Sequence, residues 1–140
     1  MFENILLAVD GSKHALKTAT LAGELARSMN SKSIRVVVVY SAIPIYLGEP
    51  NLQSAIDARL DDANKILKDA VAEVGDIPGE IHSELLEGSP AEVIVDVAET
   101  RKVDLIMVGS RGSGTFTNLM LGSTCQNVVN HAPCPVLVVR

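Results

Sequence analysis

Two turns in this chain hold the residue types that could do chemistry. Asp10-Gly11-Ser12 follows a short apolar run. Gly109–Thr115 follows another, and Gly122-Ser123-Thr124 comes soon after it. Four of the ten glycines lie between positions 109 and 122. Glycine lets backbone N–H groups approach an anion closely, and a helix starting after such a loop points its positive end at the same place. The chemistry this suits is holding a phosphate or a similar anion. The loop is not a Walker loop, because no Gly-Lys-Ser/Thr follows. Nor is it a dinucleotide fingerprint, since Gly112-x-Gly114 has Thr117 where the third glycine would stand. Gly122 leaves two readings open: a helix starts there, or another group must approach closely, because a mid-helix glycine costs about 1 kcal/mol against alanine.

Other constellations find no support. His14, His82 and His131 are scattered, and Cys125 and Cys134 do not form a CxxC pair, so neither a zinc site nor a Ser-His-Asp set is suggested. The two cysteines read as small core residues and make no disulfide framework, and His131 reads as a partner for a helix end. Neither a signal peptide nor an apolar run of membrane-spanning length is visible, so the expected setting is the cytoplasm, without a membrane partner.

The elements that must position these turns follow from periodicity. Asn4–Val9 and Ser33–Tyr40 are near-continuous apolar runs and read as buried strands. Between them Ser12 can cap a helix whose apolar face is Ala15, Leu16, Ala19, Ala22, Leu25, Ala26 and Met29. Residues 41–52 read as a loop. Ile56, Leu60, Ala63, Leu67, Ala70, Val71 and Val74 mark a long helix with an acidic outer face, ended by Gly75–Gly79. Glu80–Leu86 alternates and suits a strand near an edge. Ser89-Pro90-Ala91-Glu92 opens a helix to about Thr100, with Ser89 as cap, Pro90 in the first turn and Glu92 placed for a capping box. Val103–Val108 is a fourth strand, Thr117–Asn130 a fourth helix with Leu121, Cys125, Val128 and Val129 inward, and Pro135–Val139 the last strand.

Strict β-α alternation predicts one α/β domain over residues 1–140: a three-layer, open parallel five-stranded sheet with helices on both faces. Its core is aliphatic, with 17 valines, no Trp and 3% aromatic residues. In the order 3-2-1-4-5, strands 1 and 4 meet where the order reverses, which is where open sheets hold ligands. The two turns would then face each other.

The pattern Gly109-x2-Gly112-x9-Gly122-Ser123, after Met107-Val108 and before Pro135-Val136-Leu137-Val138-Val139, resembles the universal stress protein family in its ATP-binding branch. Ile5-Leu6-Leu7-Ala8-Val9-Asp10-Gly11-Ser12 resembles that family's opening, and Glu87-Gly88-Ser89-Pro90 its fourth βα turn region. The likeness runs along essentially the whole chain. It implies a Rossmann-like fold, akin to the adenine nucleotide alpha hydrolases, and a stress-response regulator that binds ATP with little or no turnover. It implies that Asp10, with the backbone of Ala8 and Val9, contacts adenine and ribose, and that a residue at Val39–Tyr40 contacts adenine. Gly109, Arg111 and Gly112 would line the ribose–phosphate path, and Gly122, Ser123 and Thr124 would bind phosphates. Cys125 stands where the family often has a small or hydroxyl residue, and Lys13-His14 departs from the hydroxyl-rich start common there. ATP would bring Mg or Mn with it, but Asp10 is the only carboxylate near the expected site, so the protein itself is expected to build no metal site.

Plainer readings stand beside these. Asp10 could cap the first helix, and Arg111 could be a solvated loop charge. A slow ATPase or phosphotransferase is the alternative function, since a bound triphosphate needs little beyond positioning. A phospho-receiver has a similar order, with an acidic residue after strand 1, but would want a further Asp after the third strand and a Lys after the last. The last strand, as a sheet edge, invites pairing, and the resemblance implies a homodimer through Val136–Val139.

The net charge of −5 argues against nucleic acid as a partner. It is unevenly spread. All seventeen acidic side chains, and ten of the twelve Lys and Arg, lie at or before Asp104; only Arg111 and Arg140 follow. The stretch holding the expected phosphate site is therefore free of carboxylates.

Overall fold

The computed structural model describes residues 1–42, 51–110 and 121–140. Five parallel strands form one sheet in the order β3-β2-β1-β4-β5: β1 (Asn4–Val9), β2 (Ser33–Tyr40), β3 (Glu80–Glu87), β4 (Leu105–Gly109) and β5 (Val136–Val139). Four helices connect them: α1 (Lys13–Met29), α2 (Asn51–Val74), α3 (Pro90–Thr100) and α4 (Ser123–His131). The expected order and layers are those observed. Among the described residues, no helix is long and apolar enough to cross a membrane.

The two-residue period of a strand divides the core in two. Ile5, Leu7, Ile34, Val36, Val38 and Met107 turn to one face and pack beneath α1 and α2. Leu6, Val37, Ile106 and Val108 turn to the other, under Ile94 and Ala98 of α3 and Cys125 and Val128 of α4. Because β1 and β4 are covered on both faces, their side chains are almost all apolar.

Helix α1 differs from its expected face. The buried residues are Ala15, Thr18, Ala19, Ala22, Gly23 and Ala26, whereas Leu16 and Met29 are exposed. A small-residue stripe brings α1 close to α2. A Cβ on Gly23 would lie 2.1 Å from the carbonyl oxygen of Val74. Beside that contact the Arg27 guanidinium donates to the carbonyls of Val74 and Asp76, both at 3.0 Å. These carbonyls sit at the end of α2, which stops at Gly75 with φ +71. Arg27 thus satisfies acceptors that a helix end leaves open.

Two other boundaries move. Strand β4 starts at Leu105, not Val103, because Lys102 turns at φ +52 and the Val103 amide is held by Ala98 O. Asp104 then pins the base of β1, accepting from the amides of Glu3 and Asn4 at 2.8 and 2.9 Å. Helix α4 starts at Ser123 rather than Thr117, a residue outside the described set, and Val129 is exposed rather than inward. Strand β5 ends the sheet, and Lys17 Nζ donates to the carbonyl of Arg140 at 2.7 Å, tying the chain end to α1.

Candidate functional site

All connections from strand to helix leave from the same edge of a parallel sheet, so the helix N-termini gather at the carboxyl ends of the strands. Between β1 and β4 the strand order reverses and the neighbouring connections diverge, which opens a crevice. A cleft of about 180 Å³ lies there. Its floor is aliphatic: Ala8, Val37, Val39 and Val108 from the sheet, with Ile94 and Pro90 from α3 as a wall. These four floor residues are those of the α3/α4 face, one residue out of phase with the Ile5–Leu7–Val9 set, although Val9 at the end of β1 also lines the cleft.

The opposite wall is polar and is made by the ends of β4 and α4. The Ser110 amide donates to Val139 O at 2.8 Å, and the Gly122 amide donates to Ser110 O at 2.7 Å. The start of α4 is thereby fastened to the ends of two strands. Gly122 occupies the N-cap with φ −65 and, lacking a side chain, caps nothing. The first intrahelical bond runs from the Gln126 amide to Gly122 O. The amides of Ser123, Thr124 and Cys125 have no acceptor within the helix, and all three residues line the cleft. Helix α3 also begins at the cleft without a side-chain cap. Ser89 sits at its N-cap and Pro90 in its first turn, but the expected capping bond from the Ser89 hydroxyl is not made. Two uncapped N-termini therefore put positive helix ends beside one cavity.

The first turn is built differently. Asp10 Oδ1 accepts from the Ser12 amide at 2.9 Å, and Ser12 Oγ accepts from the Ala15 amide at 3.3 Å. Ser12 is the cap of α1, while Asp10 braces the turn that presents it. Gly11 faces away from the cleft, toward Ile66 of α2. Among the described lining residues Asp10 alone carries a formal charge. Attraction for an anion at this wall therefore comes from amides and helix ends rather than from side-chain cations. Cys125 is 3% exposed, and burial pushes its thiol up from the ordinary range against a smaller opposing pull from Arg140. It remains a neutral thiol at physiological pH and adds no negative charge beside the amides.

Nine of the twelve residues singled out from the sequence line this cleft: Ala8, Val9, Asp10, Val39, Gly109, Gly122, Ser123, Thr124 and Cys125. Tyr40 does not. One residue past Val39, its side chain turns to the opposite face and packs on the α1/α2 core, while its carbonyl accepts from the Gly88 amide at 2.9 Å. Strand alternation thus turns Tyr40 away from the cleft and leaves Val39 in it. Arg111 and Gly112 lie outside the described residues. The structure adds Val37, Ile94, Val108 and Ser110, which sequence reasoning missed. Val37 and Val108 could have been found by carrying the two-residue period back from Val39 and across to β4. Among the described residues, no three His, Cys, Asp or Glu side chains converge on a point that could hold a metal ion.

Comparison with known proteins agrees with this architecture. The universal stress protein family matches the chain over residues 1–140. The "universal stress protein in QAH/OAS sulfhydrylase 3'region" of Thermus aquaticus is 46% identical over 140 residues, covering 100% of both chains. Among solved structures, a universal stress protein from Lactobacillus plantarum superposes with a TM-score of 0.86 at 28% identity, covering 99% of this chain and 98% of that one. The universal stress protein of Archaeoglobus fulgidus in complex with dAMP superposes with a TM-score of 0.70 at 25% identity, each chain covered completely. With the family matched from end to end and a relative 46% identical over the whole chain, this chain belongs to the universal stress protein family.

Proposed function

We propose that this chain is an ATP-binding regulatory protein that works as a homodimer, with binding rather than turnover as its activity. The observation that carries this reading is the pairing, in one cleft, of an aliphatic floor with three amides of Ser123, Thr124 and Cys125 that the helix leaves unpaired. A flat, uncharged heterocycle suits the slot between Val37, Val39 and Ile94, and a phosphate suits the start of α4. Asp10, at the lip by the end of β1, is the acceptor for ribose hydroxyls. The dAMP held by the Archaeoglobus fulgidus relative supports an adenine nucleotide as the ligand class. ATP would carry Mg or Mn on its own phosphates, since Asp10 is the one carboxylate among the described lining residues. None of those side chains is a His or Lys that could serve a hydroxyl as base. The dimer reading rests on β5, which ends the sheet and leaves Leu137 37% exposed.

The test is calorimetric titration of the purified protein with ATP, AMP and adenosine, together with identification of any nucleotide released on denaturation. Saturable binding of ATP is expected. Val39→Phe, which fills the floor of the slot, should weaken it at least tenfold. The absence of binding at millimolar ATP would overturn the reading.

A further inference from the structure

The sheet face that floors the cleft changes character along its strands. Across β1, β2 and β3 the register aligns Ala8, Val37 and Glu84 in one row, and Leu6, Arg35 and His82 in the next. Asn4, Ser33 and Glu80 make the last row, at the amino ends of the strands. Helix α3 covers Leu6 and Val37 with Ile94 and Ala98, and it stops at Thr100. Beyond that point the face is polar, and a second groove of about 620 Å³ opens there. Its walls come from the turns before β2, β3 and β4. The first two turns are fastened together, since the Glu80 amide donates to Lys32 O at 2.9 Å. A Cβ on Gly79 would lie 2.2 Å from that same oxygen.

Arg35 is the one charged residue of β2. Its side chain is 16% exposed, and its Nη1 pairs with Glu84 Oε1. Arg101 Nη2 approaches the same oxygen from the end of α3, at 3.5 Å. Two guanidiniums thus share one carboxylate, which leaves one positive charge in surplus. Among the described residues, Nη1 alone of the Arg35 nitrogens has a partner. No fully occluded side-chain nitrogen there lacks one. Nε and Nη2 therefore keep accessible surface, on a residue that lines the groove. Asn4 adds a donor beside them. Its Oδ1 accepts from the Ser33 hydroxyl at 2.9 Å, and its Nδ2 is left over. The other pairs, Lys32–Glu3 at 3.0 Å and His82–Glu80 at 3.2 Å, are exposed at the rim. Such pairs hold their partners weakly, so the Lys32 ammonium is available to a ligand.

We infer that this groove binds a small oxyanion, whose phosphate or carboxylate oxygens are taken by the Arg35 and Arg101 forks. A planar guanidinium matches either head group with two parallel hydrogen bonds. Asn4 Nδ2 and Lys32 supply further donors on the floor and rim. A small ligand fits better than an acidic macromolecule, because the chain carries −5 overall and would repel a large polyanion. The groove shares no lining residue with the cleft, which lies at the opposite ends of the strands. It is a second site, and it does not depend on what the cleft holds.

The experiment is an NMR titration of the full chain with citrate and, separately, with inorganic phosphate, at ionic strength held constant with sodium chloride. The amide shifts of Ser33, Arg35, His82 and Arg101 should move saturably at millimolar ligand. Arg101→Ser should weaken binding in the groove about tenfold, and Arg35→Met at least as much. Neither should change ATP affinity. The Arg101 side chain is 53% exposed, so Arg101→Ser carries the test if Arg35→Met folds poorly. Saturable binding of either anion in the groove supports the proposal, and the tighter of the two names the head group. Shifts that grow without saturation, or that chloride reproduces, would be screening of the ion pairs and would overturn it. Shifts confined to Ser123, Thr124 and Cys125 would assign the anion to the cleft and overturn it too. Groove shifts unaltered by either substitution would leave the two arginines as braces for Glu84 alone.

Discussion

The amide of Gly122 donates to the carbonyl of Ser110 at 2.7 Å. This single bond decides how the glycine-rich segment presents itself to a ligand. It commits the Gly122 amide to the protein, so the free donors begin one residue later, at Ser123. It also sets where α4 starts, since the helix takes its direction from a residue fastened to the end of β4. The glycine at the N-cap is then valuable for what it lacks: no hydroxyl or carboxamide folds back to occupy the amides of the first turn.

That gives a prediction with opposite signs for stability and binding. Gly122→Ser introduces a cap whose hydroxyl can accept from the Thr124 or Cys125 amide. Serine exceeds glycine at this position by only a few tenths of a kcal/mol, so a slight gain in stability is expected by urea denaturation. Phosphate now competes with the cap, and ATP affinity should fall several-fold. Unchanged affinity would show that the first-turn amides are not the donors.

Gly23 tests packing rather than binding. Replacing a helical glycine by alanine normally gains about 1 kcal/mol of helix propensity. Here the new Cβ would stand 2.1 Å from Val74 O and 3.0 Å from Val74 C, both backbone atoms that cannot swing aside. Overpacking of a well-packed contact costs about 1–3 kcal/mol, occasionally more. The clash should outweigh the propensity, so Gly23→Ala is expected to lower the urea midpoint. Separating α1 from α2 would also break the Arg27 bonds to Val74 and Asp76. A rise in stability would mean that the two helices part without cost.

The sheet was almost wholly legible in the sequence, and the reasons are local. Asn4–Val9 and Ser33–Tyr40 are apolar runs too short for helices and rich in β-formers, and both strands occupy those bounds. What was not legible depended on tertiary contacts. Nothing in Thr117–Leu121 announces that the helix waits for Ser123, because the bond that sets the start joins Gly122 to a residue twelve positions away. Leu16 and Met29 fit the helical period of α1, but close approach to α2 favoured Ala19, Ala22 and Gly23 for burial instead. In the site, the backbone positions were readable from motif spacing, while the floor of the cleft required the strand's parity. That parity admits Val37 and Val39 and turns Tyr40 away.

The two thiols make a pH prediction. Both are raised above the ordinary range chiefly by burial; Asp104 raises Cys134 further, and a backbone hydrogen bond at Ile106 opposes it. A group whose pKa is raised on folding holds its proton more tightly in the native state. Its contribution to stability is complete below the unfolded thiol pKa, about 8.5, and is lost as pH rises through the folded value. Urea denaturation between pH 7 and 10 should therefore show stability falling on the alkaline side. The fall should be shallower in the Cys125→Ala, Cys134→Ala double variant than in the unaltered protein. Alkylation of the folded protein at pH 7.5 should be slow at both sites, because the thiolate is the reacting species. An identical alkaline slope in the two proteins would count against burial as the source.

Leu137 offers the sharpest test of assembly. It lies on β5, which is hydrogen-bonded to β4 on one side and ends the sheet on the other. An edge of four residues, Val-Leu-Val-Val, has no proline or charge within the strand to discourage pairing. Leu137 itself is 37% exposed, a large apolar side chain that pairing with a second copy would cover. Leu137→Asp places a charge on the edge without disturbing Val139, the buried member of the strand. Sedimentation velocity at micromolar concentration should show the unaltered protein as a dimer and the variant as a monomer. The cleft lies at the carboxyl ends of β1 and β4, and its described walls all come from one chain. ATP binding per chain should therefore survive in the monomer. A dimer that persists in Leu137→Asp would move the interface away from β5, and a monomeric unaltered protein would remove the homodimer from the functional reading.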